Sequence, residues 1–286
     1  MVVRSAKHWV RFSYQGTDFQ YAGTALADAW GELHRGDREP WPDAKRLSAF
    51  IRLCPAAAVP GRTAAQLAPA LQEAWRAFHR GDFEQAWQEG AALGPLGALV
   101  AAKAATVHAS YLEPDGPRAV ALLTEAAKRA TAAAALAAEL PNAYYFQAYA
   151  IGRLSQRVSI ANALAAGHAT RIRACLERTL ALEPKHADAK IAFGLFHAEI
   201  VGKVGALAAR FTYGASADAA LQHFKAALKL DPGSAVAHME YANGLLLLRG
   251  ERAQQEARGL YERAAACRPR DAMQWLDIAQ ARAELS

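Results

Sequence analysis

The chain has 286 residues, with 33 Lys and Arg against 27 Asp and Glu and a formal charge of +6. The charges are interspersed, as in Arg76, Arg80, Asp82 and Glu84, which points to a solvated helical surface and away from a nucleic-acid footprint. Three widely spaced cysteines, Cys54, Cys175 and Cys267, argue against a disulfide framework or a Cys-based zinc site, and no apolar run reaches the length of a membrane helix.

Alanine is abundant, as in the run 130–135, and β-branched runs are scarce, so an all-α chain is expected. No apolar signal region follows Arg4, Lys7, His8 and Arg11. Cytoplasm is the default expectation, unless a signal has already been removed.

Residues 1–23 show no helical period but carry Trp9, Phe12, Tyr14, Phe19 and Tyr21. An exposed tail gains nothing from so many aromatics, so an extended cap packing along the first helices is expected. The rival reading is a partner-binding arm. Thr24 is expected to cap a helix over 24–35, with Gly36 ending it. Pro40 and Pro42 interrupt, a short helix follows over 43–53, and Pro55 to Thr63 reads as a loop.

Helices are then predicted over 64–80, 82–93 (capped by Asp82), 96–112 and 118–140. The run Pro114-Asp115-Gly116-Pro117 separates the last two. The second half is more regular, with helices over 142–156, 159–182, 186–200, 216–230, 234–248, 253–267 and 271–285. The predicted organisation is one domain over 24–286, with irregular repeats over 24–140 and clearer ones over 141–286.

Two strings in the first half are near copies. Leu26-x-x-Ala29-Trp30-x-x-x-His34-Arg35-Gly36-Asp37 returns 45 residues later as Leu71-x-x-Ala74-Trp75-x-x-x-His79-Arg80-Gly81-Asp82. Trp30 and Trp75 read as equivalent packing residues. His34 and His79 read as helix C-terminal residues facing the dipole, and Arg-Gly-Asp as the turn that follows.

In the second half, Ala220-x-x-x-Phe224-x-x-Ala227-x-x-x-x-Pro232 and Ala257-x-x-x-Tyr261-x-x-Ala264-x-x-x-x-Pro269 share one spacing. His238, Tyr241 and Ala242, and Trp275, Ile278 and Ala279, take matching places in the partner helices. Lys190, Phe193 and Gly194 form a poorer copy. These residues resemble the tetratricopeptide repeat, a pair of helices in about 34 residues with a proline after the second. The spacings Pro141–Pro184, Pro184–Pro232 and Pro232–Pro269 are longer than that, and residues 200–215 form the largest insertion. Within the superfamily the stretch 142–232 looks like the regulator of microtubule dynamics family and the tetratricopeptide proteins associated with TRAP-type transporters. The chain also resembles uncharacterised bacterial tetratricopeptide proteins. The resemblance implies a right-handed α-solenoid of about five helix pairs and an interaction role, and it carries over no substrate.

The concave face implied by the resemblance includes Tyr145, Tyr149, Asp188, Ile191, Leu195, Asn243 and Leu246, a mixed and apolar surface suited to a peptide. The carboxylate clamp of chaperone-binding members is missing, because Met239, Met273 and Asp277 stand where its cations would be. The insertion, with Lys203, Arg210, Phe211 and Tyr213, is expected either to pack into the groove or to act as a ligand-contacting lid. No metal-binding, nucleophile or phosphate-loop motif occurs, so neither a catalytic site nor a metal or cofactor is expected. The leading expectation is a non-enzymatic scaffold for a protein or peptide partner. The alternatives are a transporter-associated, small-molecule or lipid-binding accessory, which requires an enclosed apolar cavity, and an enzyme, which requires shifted pKa values converging in one cleft.

Overall fold

The structure is a computed structural model that describes residues 8–13 and 19–286. The described residues form α-helices joined by short turns: α1 (Ala25–Leu33), α2 (Ala44–Leu53), α3 (Ala64–Arg80), α4 (Phe83–Ala92), α5 (Ala98–Tyr111), α6 (Gly116–Leu136), α7 (Pro141–Ser155), α8 (Ile160–Ala165), α9 (His168–Leu182), α10 (Ala187–Val204), α11 (Ala206–Tyr213), α12 (Ala217–Leu230), α13 (Ala235–Arg249), α14 (Gln254–Ala266) and α15 (Ala272–Ala283). No strand occurs among the described residues, and none of their helices is long and apolar enough to cross a membrane.

Local chemistry sets most boundaries. Asp43, Asp115, Ser216, Ser234 and Asp271 each accept a backbone N–H of the first turn that follows them. Thr63 and Gln66 form a reciprocal capping box at the start of α3. Pro141 opens α7, where its missing N–H has no partner to lose. Two expected caps are corrected. Thr24 makes no side-chain bond to α1, and Asp82 pairs with Arg80 instead of capping α4. The helix expected over 159–182 is interrupted before His168. The one expected over 118–140 ends at Leu136, and the 55–63 loop begins with one turn of 3₁₀ helix at Pro55–Ala57.

From α3 to α15 the longer helices pack in succession, with α7 meeting α9 past the short α8 and α10 meeting α12 past α11, and further pairs touch as well, as α5 does α7, α10 does α13 and α13 does α15. The C-terminal helix also returns to the start of the chain, because α15 packs against α3. Ala272 and Leu276 of α15 belong to the same apolar core as Trp30, Trp75, Phe78 and Phe146, while a second core surrounds Phe224. All six of Ala220, Phe224, Ala227, Ala257, Tyr261 and Ala264 are buried, and Phe224 stacks on Tyr241. Full burial of a Phe side chain contributes about 1.5–3 kcal/mol, so each such anchor matters to a fold of this kind.

The N-terminal aromatics do more than cover one end. Trp9 is buried against Trp87 and His108, and Phe12 lies edge-on to both Phe83 and Trp275. Phe12 therefore bridges the seam where α15 meets the first helices. Tyr14 lies outside the described residues. In the 200–215 insertion α10 continues to Val204, and α11 follows after Gly205.

Candidate functional site

The two copies of the repeated string meet in the molecule's interior. Trp30 lies edge-on to Trp75 at 5.8 Å, and His34 Nε2 lies 3.2 Å from His79 Nε2. Each ring turns its other nitrogen to a carboxylate: His34 Nδ1 is 2.8 Å from Asp37, and His79 Nδ1 is 2.9 Å from Asp271. Both rings are fully buried. Burial pushes the pKa of His34 down to about 4, against the pull of Asp37. A neutral His34 that gives its Nδ1 hydrogen to Asp37 turns a lone pair at Nε2 toward His79.

Asp37 also accepts from Lys103 Nζ of α5 at 2.6 Å, and that ammonium lies over the rings of Trp75, Phe78 and Phe146. Lys103 and His34 together hold the Asp37 carboxyl well below the usual range despite its burial. Two residues on, Glu39 accepts from Asn142 Nδ2 of α7 at 2.6 Å. His186 Nε2 donates to Asn142 Oδ1, while His186 Nδ1 accepts the Ala189 N–H and so caps α10. This fixes the neutral tautomer of His186, in keeping with a pKa pushed down to about 4 by burial. Burial and the Asp37 charge push Glu39 up to about 7.

Segment 30–39 therefore touches α3, α5, α7 and α10, the last also through a bond from the Asp188 N–H to the Gly36 carbonyl. Arg270, just before α15, reaches the Glu32 carbonyl. Much of the face on which these helices converge is filled by the chain's own N-terminal segment.

Beyond that segment a cavity of about 170 Å³ opens between α7, α9, α10 and the 200–215 insertion. Its walls are mostly apolar and include Ala148, Ile172, Ile191, Leu195, Phe196 and Val236. Tyr145 and Tyr149 line it with parallel rings 6.1 Å apart, and the Arg153 guanidinium lies 5.6 Å from the centre of the Tyr149 ring. The charges on its wall are mostly matched. Arg153 pairs with Glu240 at 3.1 Å, and Lys203 pairs with Glu199 at 2.9 Å near the mouth. The exception is Asp188, pushed up to about 7 by burial and by the neighbouring Asp37. A second, smaller cavity of about 40 Å³ adjoins the first. Both are lined by Asp188, Val236 and Met273, and the smaller also by Lys103, Asp231, Asp271 and Asp277.

The cavity unites five of the seven residues expected on the concave face: Tyr145, Tyr149, Asp188, Ile191 and Leu195. Asn243 and Leu246 lie outside it. Asn243 donates to Glu240 and accepts from the Tyr261 hydroxyl, and Leu246 packs on the second core. From the insertion, Lys203 and Tyr213 line the cavity, whereas Arg210 and Phe211 do not, and Phe211 is 78% exposed. Sequence reasoning missed Arg153, Asp231 and Phe196. For Arg153 and Phe196 the only signal was helical register, which cannot say where a neighbouring helix stops, and Asp231 lies in the turn after α12. No group of three His, Cys, Asp or Glu among the described residues is arranged to hold a metal ion. The Cys175 thiol is buried and pushed up to about 11, which suits core packing.

No family model matches the chain, and no curated protein matches it in sequence.

Proposed function

We propose that this chain is a helical-repeat binding protein of the tetratricopeptide kind that holds a small apolar or lipidic molecule in the cavity beside α10. The observation that carries the reading is that cavity, apolar on most sides and bounded by the insertion that breaks the repeat. Its volume is slightly above the 150 Å³ of an engineered protein cavity that admits benzene. It therefore suits an apolar body of about eight heavy atoms rather than an extended peptide. Segment 30–39 lies where a peptide would run along the inner face, which argues against a long concave groove. The succession of packed helices from α3 to α15, with α8 and α11 bypassed, and the buried Ala-Phe-Ala and Ala-Tyr-Ala positions support the tetratricopeptide resemblance.

Calorimetric titration with octan-1-ol tests the proposal, using Ala192→Trp to fill the cavity wall. Binding by the parent chain and its loss in the variant are expected. At a concentration one hundred times Kd, the alcohol should stabilise the fold by about 2.7 kcal/mol. No binding, or equal binding by the filled variant, would sink the proposal.

A second reading, a scaffold for a protein partner, is favoured by one feature. Val204, Leu207, Phe211 and Leu247 are exposed apolar side chains around α11. On this reading α11 is a docking surface at the cavity mouth and not a lid.

A further inference from the structure

The two adjoining cavities differ in chemistry, and the difference selects a ligand. The larger is mostly apolar, and its charged residues other than Asp188 are paired. The smaller is bordered by Glu32, Asp188, Asp231, Asp271 and Asp277, against the cations Lys103 and Arg270. Those cations are already engaged, Lys103 by Asp37 and Arg270 by Glu32. Asp271 is met by His79 and by the Gln274 N–H, and Asp277 accepts from the Tyr111 hydroxyl. Two carboxyls are left over. Asp188 makes no side-chain hydrogen bond or ion pair among the described residues. Asp231 is 8% exposed, and its Oδ1 has no hydrogen-bond partner among the described residues.

The place of Asp188 is built, not incidental. Its N–H donates to the Gly36 carbonyl, and a Cβ on Gly36 would collide with its carboxylate. The turn after α1 thus leaves room for a carboxyl group at the junction of the two cavities. On the apolar side of that junction stand the parallel rings of Tyr145 and Tyr149; aromatic faces attract cations, and the Tyr149 ring already carries Arg153 at 5.6 Å. The smaller cavity has room for about three water molecules, enough for a hydrated head group.

We infer that the cavity takes an amine: an alkyl or arylalkyl chain in the apolar chamber, with its ammonium head at Asp188 facing Asp231. This rests on the cavity-binding reading above. Asp188 is half-buried and has no ion-pair partner of its own, the nearby Lys103 being held by Asp37, and an arriving ammonium supplies that partner. A carboxylate head would instead face Asp188, Asp231 and Asp277 with like charge. The burial that pushes Asp188 up to about 7 is the same imbalance seen from the proton's side.

The test is calorimetric titration of the full chain at pH 8 with octylamine, octan-1-ol and octanoate. Octylamine is expected to bind at least about tenfold more tightly than the alcohol, and octanoate more weakly than either. In Asp188→Asn the amine-to-alcohol affinity ratio is expected to fall to about one. Asp231→Asn is expected to lower the ratio in the same direction, and it keeps the test open if Asp188→Asn does not fold. If the alcohol binds but the amine binds no better, or if both Asn variants keep the ratio, the amine assignment is overturned while the cavity reading stands. If none of the three octyl compounds binds, both fall.

Discussion

The two copies of the repeated string share seven residues and end in opposite circumstances. In the first, Asp37 is 1% exposed and joins His34 to Lys103. In the second, Asp82 is 55% exposed and pairs with Arg80 in solvent. The glycines diverge too. Gly81 has a positive φ of 95° and lies under the Phe12 ring, whereas Gly36 has an ordinary φ and is small because Asp188 sits beside it. The same local string ends a helix in both places, at Leu33 in the first copy and two positions later, at Arg80, in the second, and the burial of its last residue then depends on which helices arrive from elsewhere. Lys103 and the α10 N-terminus close over the first copy, and the N-terminal segment lies along the second.

The largest expected contrast is between the aspartates. Asp37→Asn leaves Lys103 charged, buried and without its carboxylate, and should destabilise the fold by about 3–5 kcal/mol in urea unfolding. Asp82→Ala removes an exposed pair and should change stability by less than about 1 kcal/mol. Equal effects would mean that the two copies are environmentally equivalent.

The next contrast is in pH. Glu39, just after the first copy, has a folded pKa near 7 because it is buried beside Asp37. An acid with a folded pKa above its unfolded value keeps its proton longer in the folded chain. Its contribution to stability therefore falls as pH rises from about 4 to about 7 and is level above that. His34 and His186, with folded pKa values near 4, act in the opposite sense, gaining stability between about 4 and 6.5. Comparing the parent with Glu39→Gln cancels the histidines. The variant's advantage should grow across pH 4 to 7 to at most about 3 kcal/mol, measured by urea unfolding at each pH. An advantage that does not change with pH would show that Glu39 titrates normally.

Gly81→Ala should be a smaller effect, about 1–3 kcal/mol, from the left-handed backbone and from the contact with Phe12. A companion Phe12→Ala in the same chain should recover the packing part and leave the backbone part. Thermal unfolding of the two variants separates the terms, and no recovery would show that the ring does not constrain this turn.

Much of the architecture was legible in the sequence. Helix α3 falls on 64–80 as expected, because Thr63, Gln66 and Gly81 mark its ends through chemistry confined to neighbouring residues. The expected burial of Trp30 and Trp75 follows from their helical spacing, and both are buried. The candidate site was legible in part. Tyr145, Tyr149, Asp188, Ile191 and Leu195 share register with a face that must meet something, and five of the seven proposed residues converge. Asn243 and Leu246 share that register too, but Tyr261 and the second core meet them first.

What the sequence determined by itself is therefore the set of helices, most of their ends, and the residues that need burial. Those are properties of periodicity, capping and side-chain size within a few residues. Tertiary structure decided the rest: that His34 faces His79 across 45 residues, that His79 is met by Asp271 across 192, and that α15 returns to α3. It also decided that Asp188, indistinguishable in the sequence from any helix-start aspartate, has no ion-pair partner among the described residues where a mostly apolar cavity meets an acidic one. Charge balance and cavity shape depend on groups brought together from distant segments, and no local pattern records them.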